Sequence, residues 1–216
     1  LSIIVGHQYG AKKMEKMKES IASTVTFSIL FALILMSLWI FFGEQILTLL
    51  NVDIFVMPYA LTYIKIIVIY LPFFAIDGTI QGALQAFGKT QPIMYAGILK
   101  VFLNIFLDWV FIFGKFGLPA MGIEGAAIAT VAANIATSTI VTLYFTNANG
   151  LPIKMHLTQL INFKLKLYTK IAAIGLPSGM EFFLWHLGNI VLISFLNTID
   201  LMGVAVYVLV STINGF

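Results

Sequence analysis

Residues 20–42 have the sequence SIASTVTFSILFALILMSLWIFF, an apolar run of 23 residues without a charged side chain. At about 1.5 Å per residue, an α-helix of this length reaches roughly 35 Å, enough to cross a hydrocarbon core of about 30 Å. Comparable runs lie at residues 59–81, 92–114, 123–145 and 171–196, and residues 204–216 open a further one. The sequence therefore predicts an all-α protein that crosses a membrane several times.

The composition of the chain agrees with this class. Of the 216 residues, 60% are hydrophobic and only 10% are charged, whereas soluble domains carry roughly one quarter charged residues. A surface this apolar is satisfied only by lipid or by other helices, which excludes a cytosolic enzyme. All 12 basic residues are lysines, and the chain has no cysteine. The missing arginines argue against nucleic-acid binding, and the missing thiols exclude disulfides and thiolate metal sites.

The first residues suggest how the chain relates to a larger protein. It starts at Leu1 without an initiator methionine, and only five residues precede the lysine-rich stretch at 6–19. No signal peptide matches this pattern. We therefore expect a fragment that begins near the end of one membrane helix and stops inside another.

Lysines separate the connecting segments into two sets. The segments at 6–19, 86–91 and 146–170 together hold nine lysines and two acidic residues. The alternate segments at 43–58, 115–122 and 197–203 hold one lysine and three acidic residues. Because positive residues stay on the cytoplasmic side of a membrane, the first set is expected to be cytoplasmic.

The longest polar connection, residues 146–170, predicts a boundary between two bundles. It carries four lysines around an amphipathic stretch at 157–167 and is expected to be a surface linker. Within the fourth span, small residues recur every four positions, as Gly125, Ala129 and Ala133 and as Gly122 and Ala126. Small residues allow helix backbones to approach closely in lipid, so this span is expected to pack centrally.

No enzyme motif is complete. Residues 83–90 have the pattern A-x-x-x-x-G-K-T, a phosphate loop without its first glycine, which follows a membrane helix instead of a strand. Residues 175–179 (GLPSG) have the wrong spacing for a nucleophile elbow. None of the three histidines has a partner at metal-binding spacing, although His186 lies inside a span and allows a proton-relay role. The sequence therefore predicts that the protein is not an enzyme.

Ionisable residues inside spans are costly in hydrocarbon and mark candidate functional positions. Lys65 and Asp77 lie near span ends, where they can reach the interface, and Lys100 lies deeper. Asn104 and Asp108 are four residues apart and share one helix face, so an amide oxygen and a carboxylate could bind Na⁺ or exchange a proton there.

Glu181 is the remaining acidic candidate. It follows Pro177 by four residues, and a proline removes one backbone hydrogen bond and frees a carbonyl. An acid beside a broken helical turn is a common way to build an ion site in transporters.

Several segments together resemble the multidrug and toxic compound extrusion (MATE) family. They are GHQYGAKK at 6–13, QGALQAFGKTQPIM at 81–94, NIFLDWVFIFG at 104–114, GIEGAAIAT at 122–130 and GLPSGME at 175–181. The resemblance implies twelve helices in two six-helix lobes, of which this chain would hold the end of helix 2 to part of helix 8. Residues 1–145 would belong to the N-terminal lobe, 146–170 to the cytoplasmic inter-lobe linker and 171–216 to the start of the C-terminal lobe.

The resemblance also implies a coupling site. Asn104 and Asp108 match the fifth-helix pair of the family, Thr130 the sixth-helix threonine and Tyr63 the fourth-helix tyrosine. Glu181 is similar to an acid on the seventh helix but lies nearer the start of that helix. Asn104 and Asp108 are the expected ligands if the coupling ion is Na⁺.

The expected function is a monomeric, cation-coupled antiporter of the cytoplasmic membrane that exports amphipathic or cationic organic compounds. It would use H⁺ or Na⁺ and no other cofactor, and its partners would be the lipid bilayer and drug-like substrates, without nucleic acid. The alternative is a lipid-linked oligosaccharide flippase of the same superfamily, which would need Lys65 and Lys100 to bind pyrophosphate. A third possibility, a membrane scaffold or receptor, would not explain why Asn104 and Asp108 lie inside a span.

Overall fold

The computed structural model describes residues 1–49, 52, 54–162, 165–199 and 207, and all regular structure in these ranges is helical. Side chains are not described at positions 165–167, 170, 174, 190 and 193–199. The chain forms two compact units, Leu1–Tyr168 and Thr169–Phe216. Each unit is described below by itself.

Seven α-helices follow one another along the described ranges. They are α1 (Ser2–Gly10), α2 (Met14–Leu49), α3 (Met57–Ile67), α4 (Leu71–Ala86), α5 (Gln91–Phe113), α6 (Ile123–Asn147) and α7 (Leu165–Ile199). A 3-10 turn at Val68–Tyr70 joins α3 to α4, so Met57–Ala86 acts as one span with a local irregularity. Helices α3, α4 and α5 each carry a proline in the first turn, where its missing N–H costs nothing.

Four helical stretches in the described part of the chain are long and apolar enough to cross a membrane. They are Met14–Leu49, Met57–Ala86, Gln91–Phe113 and Ile123–Asn147. These stretches confirm the first four predicted spans. The predicted opening of another span at 204–216 and the segment at 197–203 fall largely outside the described residues.

The first span is longer than its hydropathy predicted. The segment expected to be a loop from residue 43 onward stays helical to Leu49, and the stretch at 6–19 consists of parts of α1 and α2 joined by a short turn. Gly43 is buried, and a Cβ there would meet Trp39 and Leu61 at ordinary contact distances of 3.8 and 3.9 Å. A helix satisfies its backbone hydrogen bonds internally, whether or not it lies in hydrocarbon. It can therefore continue past the apolar run where water or protein surrounds its polar side chains.

The apolar core of the first unit lies at the lysine-rich end of the bundle. The start of α2, the end of α4, the start of α5 and the end of α6 all meet there. The largest fully buried members are Met17, Ile21, Ile80, Leu84 and Phe145. The lysine-rich segments, predicted to lie on one side of the membrane, therefore also share one packed end of the bundle.

The connection after α6 packs partly against the bundle, while Lys154, Thr158 and other residues of it are exposed, and its role as an inter-lobe linker stays a prediction. Ile153, Met155 and Leu160 are buried in the core cluster. The backbone N–H of Asn162 donates to Thr26 Oγ1 on α2 at 2.8 Å. Within the stretch predicted to be amphipathic, a 3-10 turn at Leu157–Leu160 is followed by extended backbone at Ile161. The three apolar side chains lower the free energy of the fold by covering the end of the bundle.

Helix α6 packs against α3, α4 and α5 and is the central helix of the first unit, as the small residues predicted. Gly125, Ala129 and Ala133 are buried, whereas Gly122 is exposed and Ala126 is half-buried. Only one of the two predicted rows of small residues therefore forms the packed face.

In the second unit, α7 continues through Pro177 without a break. The sequence had suggested a broken turn at this proline. A proline removes one backbone N–H from the helix, but the hydrogen bonds of its neighbours can carry the helix onward. The predicted fifth span is thus helical over its whole length, within a longer helix.

Candidate functional site

The predicted polar pair on α5 lies against α6. Asn104 is half-buried, and its Nδ2 donates to Oγ1 of Thr130 at 3.5 Å. This distance is at the long end for a hydrogen bond, so the contact is weak by itself. It nevertheless joins two of the predicted site residues, which are 26 positions apart in sequence.

Asp108 lies one helical turn after Asn104 on the same face of α5. The side chain is half-buried, and its Oδ1 is buried without a hydrogen-bond partner among the described residues. Buried carboxylate oxygens in proteins are normally hydrogen-bonded or paired with a cation. A proton on the carboxyl or a cation beside it would therefore satisfy an atom that the described chain leaves unsatisfied.

Two contacts between α5 and α6 hold Asp108 from both sides along the helix. On one side is the Asn104–Thr130 hydrogen bond. On the other side the backbones touch, because a Cβ on Gly125 would lie 2.7 Å from the carbonyl oxygen of Phe111. Asp108 lies between these two points in sequence, so the segment of α5 that carries it is held against α6 on both sides.

Thr130 has a second polar contact, which the sequence analysis missed. Nδ2 of the buried Asn134 donates to the Thr130 carbonyl oxygen at 2.7 Å. Asn104, Thr130 and Asn134 thus form a connected polar row across α5 and α6. The signal was present as the four-residue spacing of Thr130 and Asn134, which places both on one face of α6.

The structure does not join the other two predicted site residues to this row. Tyr63 lies on α3, which packs against α6, but its side chain is 37% exposed. No hydrogen bond within the described ranges connects Tyr63 to Asn104, Asp108 or Thr130. Glu181 is exposed on α7 in the second unit. The roles of both residues stay predictions.

The remaining ionisable residues of the spans are exposed or, in the case of Asp77, half-buried. Lys65, Lys100 and His186 are exposed, and Asp77 accepts a hydrogen bond from Gln81 Nε2 at 2.7 Å. No group of three or more histidine, aspartate or glutamate side chains that could hold a metal ion occurs among the described residues. The α5–α6 row offers amide, hydroxyl and carboxylate oxygens, which are the ligand types that a hard cation such as Na⁺ takes.

The partial phosphate-loop pattern at 83–90 uses its backbone for another purpose. The N–H groups of Phe87, Gly88 and Lys89 donate to carbonyl oxygens at the end of α4. Gly88 has φ +69°, the left-handed conformation that commonly ends a helix. These N–H groups therefore cannot cradle the phosphates of a nucleotide.

A second buried polar cluster lies between α1 and α2 and was also missed. Gln8 Nε2 donates to Ser20 Oγ at 2.9 Å. Gln8 Oε1 and Ser23 Oγ are buried without a partner among the described residues. The recurrence of serine and threonine at three- and four-residue spacing near the start of α2 was the available signal.

The chain is similar in sequence to known bacterial proteins. A family model described as MatE matches residues 1–110. The chain is 29% identical to a probable multidrug resistance protein, YoeA, of Bacillus subtilis, over all of the chain and 47% of that protein. It is 31% identical to a probable multidrug resistance protein, NorM, of Thermotoga maritima, over 67% of the chain and 30% of that protein.

Solved structures with the same fold include two transporters. A MOP superfamily transporter from Pyrococcus furiosus matches with a TM-score of 0.85 and 20% identity, over 99% of this chain and 46% of that one. A MATE protein crystallised in a bent conformation matches with a TM-score of 0.82 and 20% identity, over 96% of this chain and 45% of that one. The chain thus spans less than half the length of these relatives.

Proposed function

The chain belongs to the MatE family, and we propose that the complete protein is a cation-coupled antiporter of the cytoplasmic membrane. It exports amphipathic or cationic organic compounds while H⁺ or Na⁺ moves inward. The names of the relatives, which are multidrug resistance proteins, support this substrate class. The four membrane-spanning stretches of the described chain are consistent with a multi-pass transporter.

The buried Oδ1 of Asp108 is the observation that carries the proposal. The atom has no hydrogen-bond partner among the described residues, and it lies where α5 and α6 hold each other closely. Leaving such an oxygen unpaired costs free energy, and a bound proton or cation removes that cost. The site therefore favours the cation-loaded state of the protein.

The same few groups can serve either coupling ion. A proton would bind to the carboxyl of Asp108. A Na⁺ ion would take oxygen ligands from Asp108, from the Asn104 amide carbonyl and from the Thr130 hydroxyl, which accepts the Asn104 N–H and keeps a free lone pair. Tyr63 and Glu181 are proposed as additional coupling residues of the complete protein.

Coupling requires no covalent step, so the complete protein acts as a transporter and not as an enzyme. Cation and substrate need only prefer different conformations of the protein. Each ligand then shifts the conformational equilibrium by its difference in affinity between the two states. Release of the cation on the inner side thereby drives release of the substrate on the outer side.

The alternative function is a flippase for lipid-linked oligosaccharides. It would require cationic side chains around a pyrophosphate, and Lys65 and Lys100 are the lysines within the predicted spans. Both are exposed on the first unit, and the chain has no arginine, the side chain best suited to bidentate phosphate binding. These observations favour the antiporter.

The test is efflux by the complete protein carrying Asp108→Asn, measured as ion-gradient-driven extrusion of a cationic dye from proteoliposomes. We expect a loss of at least tenfold in gradient-driven efflux, because an amide neither exchanges a proton nor neutralises a cation. The matched control is Glu44→Gln, an equal change at an exposed position of α2, which should leave efflux unchanged.

Two outcomes would overturn the proposal. Gradient-driven efflux retained in Asp108→Asn would remove this carboxylate from the mechanism. Absence of dye efflux in the unaltered protein, together with lipid scrambling or flipping that is lost in Lys65→Gln and Lys100→Gln, would support the flippase.

A further inference from the structure

A groove of about 670 Å³ opens on the first unit between the α4–α5 turn and the two helices that follow it. Its mouth is formed by Lys89, Thr90 and Gln91 at the start of α5. Its walls include Tyr95 and Leu99 of α5 and Tyr144 of α6. No part of the α5–α6 polar row lines it, so the groove is separate from the proposed coupling site.

Lys89 at the mouth is an exposed cation without an acidic partner. The ion pair found within the described ranges joins Lys18 to Glu15, and no carboxylate of those ranges pairs with Lys89. The adjacent Thr90 precedes α5 without forming a side-chain cap, so the first N–H groups of that helix also lack a capping side chain. The mouth therefore carries a positive charge, to which the start of helix α5 adds a small positive potential.

The walls have the opposite character. Leu99 and Ile140 are 41% and 46% exposed, and Tyr95 and Tyr144 are 64% and 37% exposed. Tyrosine is enriched where a membrane protein crosses from hydrocarbon to head groups, because its ring is apolar and its hydroxyl is polar. The groove thus changes from polar to apolar along α5, as a bilayer leaflet does.

We propose that this groove binds an anionic phospholipid of the leaflet at the lysine-rich end of the bundle. The phosphate lies beside Lys89 and Thr90, and an acyl chain lies against Leu99 and Ile140. A lipid is the occupant that matches both zones, since it combines a negative head group with an apolar tail. A nucleotide does not match, because the N–H groups of residues 87–89 are already bonded to α4.

This binding does not depend on transport activity. It needs only the groove, the unpaired lysine and a leaflet with anionic lipid. A near-surface lysine contributes about 1 kcal/mol to attraction of an anionic membrane, which corresponds to about fivefold in affinity. Removing the Lys89 charge should therefore weaken retention of an anionic lipid by about that factor.

The test is native mass spectrometry of the complete protein titrated with phosphatidylglycerol or with phosphatidylcholine. We expect the unaltered protein to retain phosphatidylglycerol more strongly than phosphatidylcholine. Lys89→Gln should lower phosphatidylglycerol retention about fivefold and phosphatidylcholine retention less, because the choline cation already offsets the charge of that phosphate. Leu99→Trp, which fills the groove from an exposed position, should lower the retention of both lipids.

Lys13→Gln is the matched control, because Lys13 is an exposed lysine at the same end that does not line the groove. It should leave both retentions unchanged. An equal loss in Lys13→Gln and Lys89→Gln would show a diffuse charge effect and overturn the proposal. Retention of neither lipid by the unaltered protein would overturn it as well. Dye efflux by Lys89→Gln is independent of these results, so failure of this proposal is distinguishable from failure of the antiporter.

Discussion

Asp108 is costly for the fold, and this cost is the basis of the function proposed for it. Its Oδ1 is buried without a partner among the described residues. Leaving a buried acceptor unsatisfied costs about 1–3 kcal/mol, and more for a charged group. Neighbouring hydroxyl groups find partners by bonding to their own helix, as Thr137 does with the Ala133 carbonyl at 2.9 Å. Asp108 Oδ1 has no such hydrogen bond to its own helix among the described residues. We therefore propose that the carboxylate binds a cation.

The contribution of Thr130 can be measured separately. In the complete protein, Thr130→Val keeps the shape of the side chain but removes the acceptor of the Asn104 N–H. The contact is long, so we expect a loss of about 1 kcal/mol, or about fivefold weaker apparent affinity for the coupling ion. The measurement is the ion-concentration dependence of dye efflux.

Thr139→Val is the control for this substitution. Thr139 lies on the same helix, is exposed, and bonds only to its own helix through the Ile135 carbonyl. Its replacement should leave the ion dependence unchanged. If Thr130→Val also had no effect, the hydroxyl would have no part in coupling.

The sequence could predict part of this site. The spacing of Asn104 and Asp108 is a local helical property, so their common face was predictable. Thr130 was identified through the family resemblance, since nothing local links residues 26 positions apart. Its contact with Asn134 depends on a side-chain orientation that spacing permits but does not require.

At the scale of elements, the crossing of α5 and α6 determines where the polar row lies. Gly125 allows the α6 backbone to touch the backbone of Phe111 and Ile112. Helices in lipid gain little from burying apolar groups against each other, so close approach at small residues becomes the main attraction. The crossing therefore contributes to stability and also positions Asp108.

Gly125→Ala tests this crossing. The added Cβ would lie 2.7 Å from both the carbonyl carbon and the carbonyl oxygen of Phe111, and backbone atoms cannot move aside easily. We expect the complete protein to lose about 1–3 kcal/mol of stability, seen as a lower midpoint of thermal unfolding in detergent. Gly97→Ala on α5 is the matched control, because nothing lies within 4 Å of its added Cβ. That variant should unfold at the same temperature or slightly higher, since alanine favours helices by up to about 1 kcal/mol. Equal midpoints for the two variants would contradict a tight crossing.

The turn after α5 depends on another glycine. Gly114 ends the helix with φ +64°, and an added Cβ would lie 2.7 Å from the Leu118 carbonyl oxygen. Left-handed backbone costs a residue with a side chain about 1–2 kcal/mol, before any clash is counted. The sequence placed this turn correctly, because glycine and proline are strong local signals.

At the scale of the whole molecule, the end of the first unit where the lysine-rich segments lie is also the end where the apolar core packs. The core cluster unites α1 and the start of α2 with the turn after α4 and the connection after α6. The positive-inside rule assigns these segments to the cytoplasm. The packed end and the predicted cytoplasmic end are thus one surface.

Orientation can be tested by labelling, because the chain has no cysteine. Single replacements Ala120→Cys and Asn149→Cys introduce thiols at exposed positions on opposite ends of α6. In intact cells, a membrane-impermeant maleimide should label Ala120→Cys, whereas Asn149→Cys should react only after the membrane is permeabilised. The reverse pattern would invert the predicted topology, and equal labelling in intact cells would contradict a fixed orientation.

The sequence alone determined that the protein is helical, that it crosses a membrane and that Asn104 and Asp108 share a face. Hydropathy, helical period and turn residues are local properties, and those features follow from them. Only the tertiary structure decided that Asp108 Oδ1 is buried without a partner, and that Ile153, Met155 and Leu160 cover the end of the bundle. Burial and hydrogen-bond partners depend on residues far apart along the chain, and only packing brings those residues into contact.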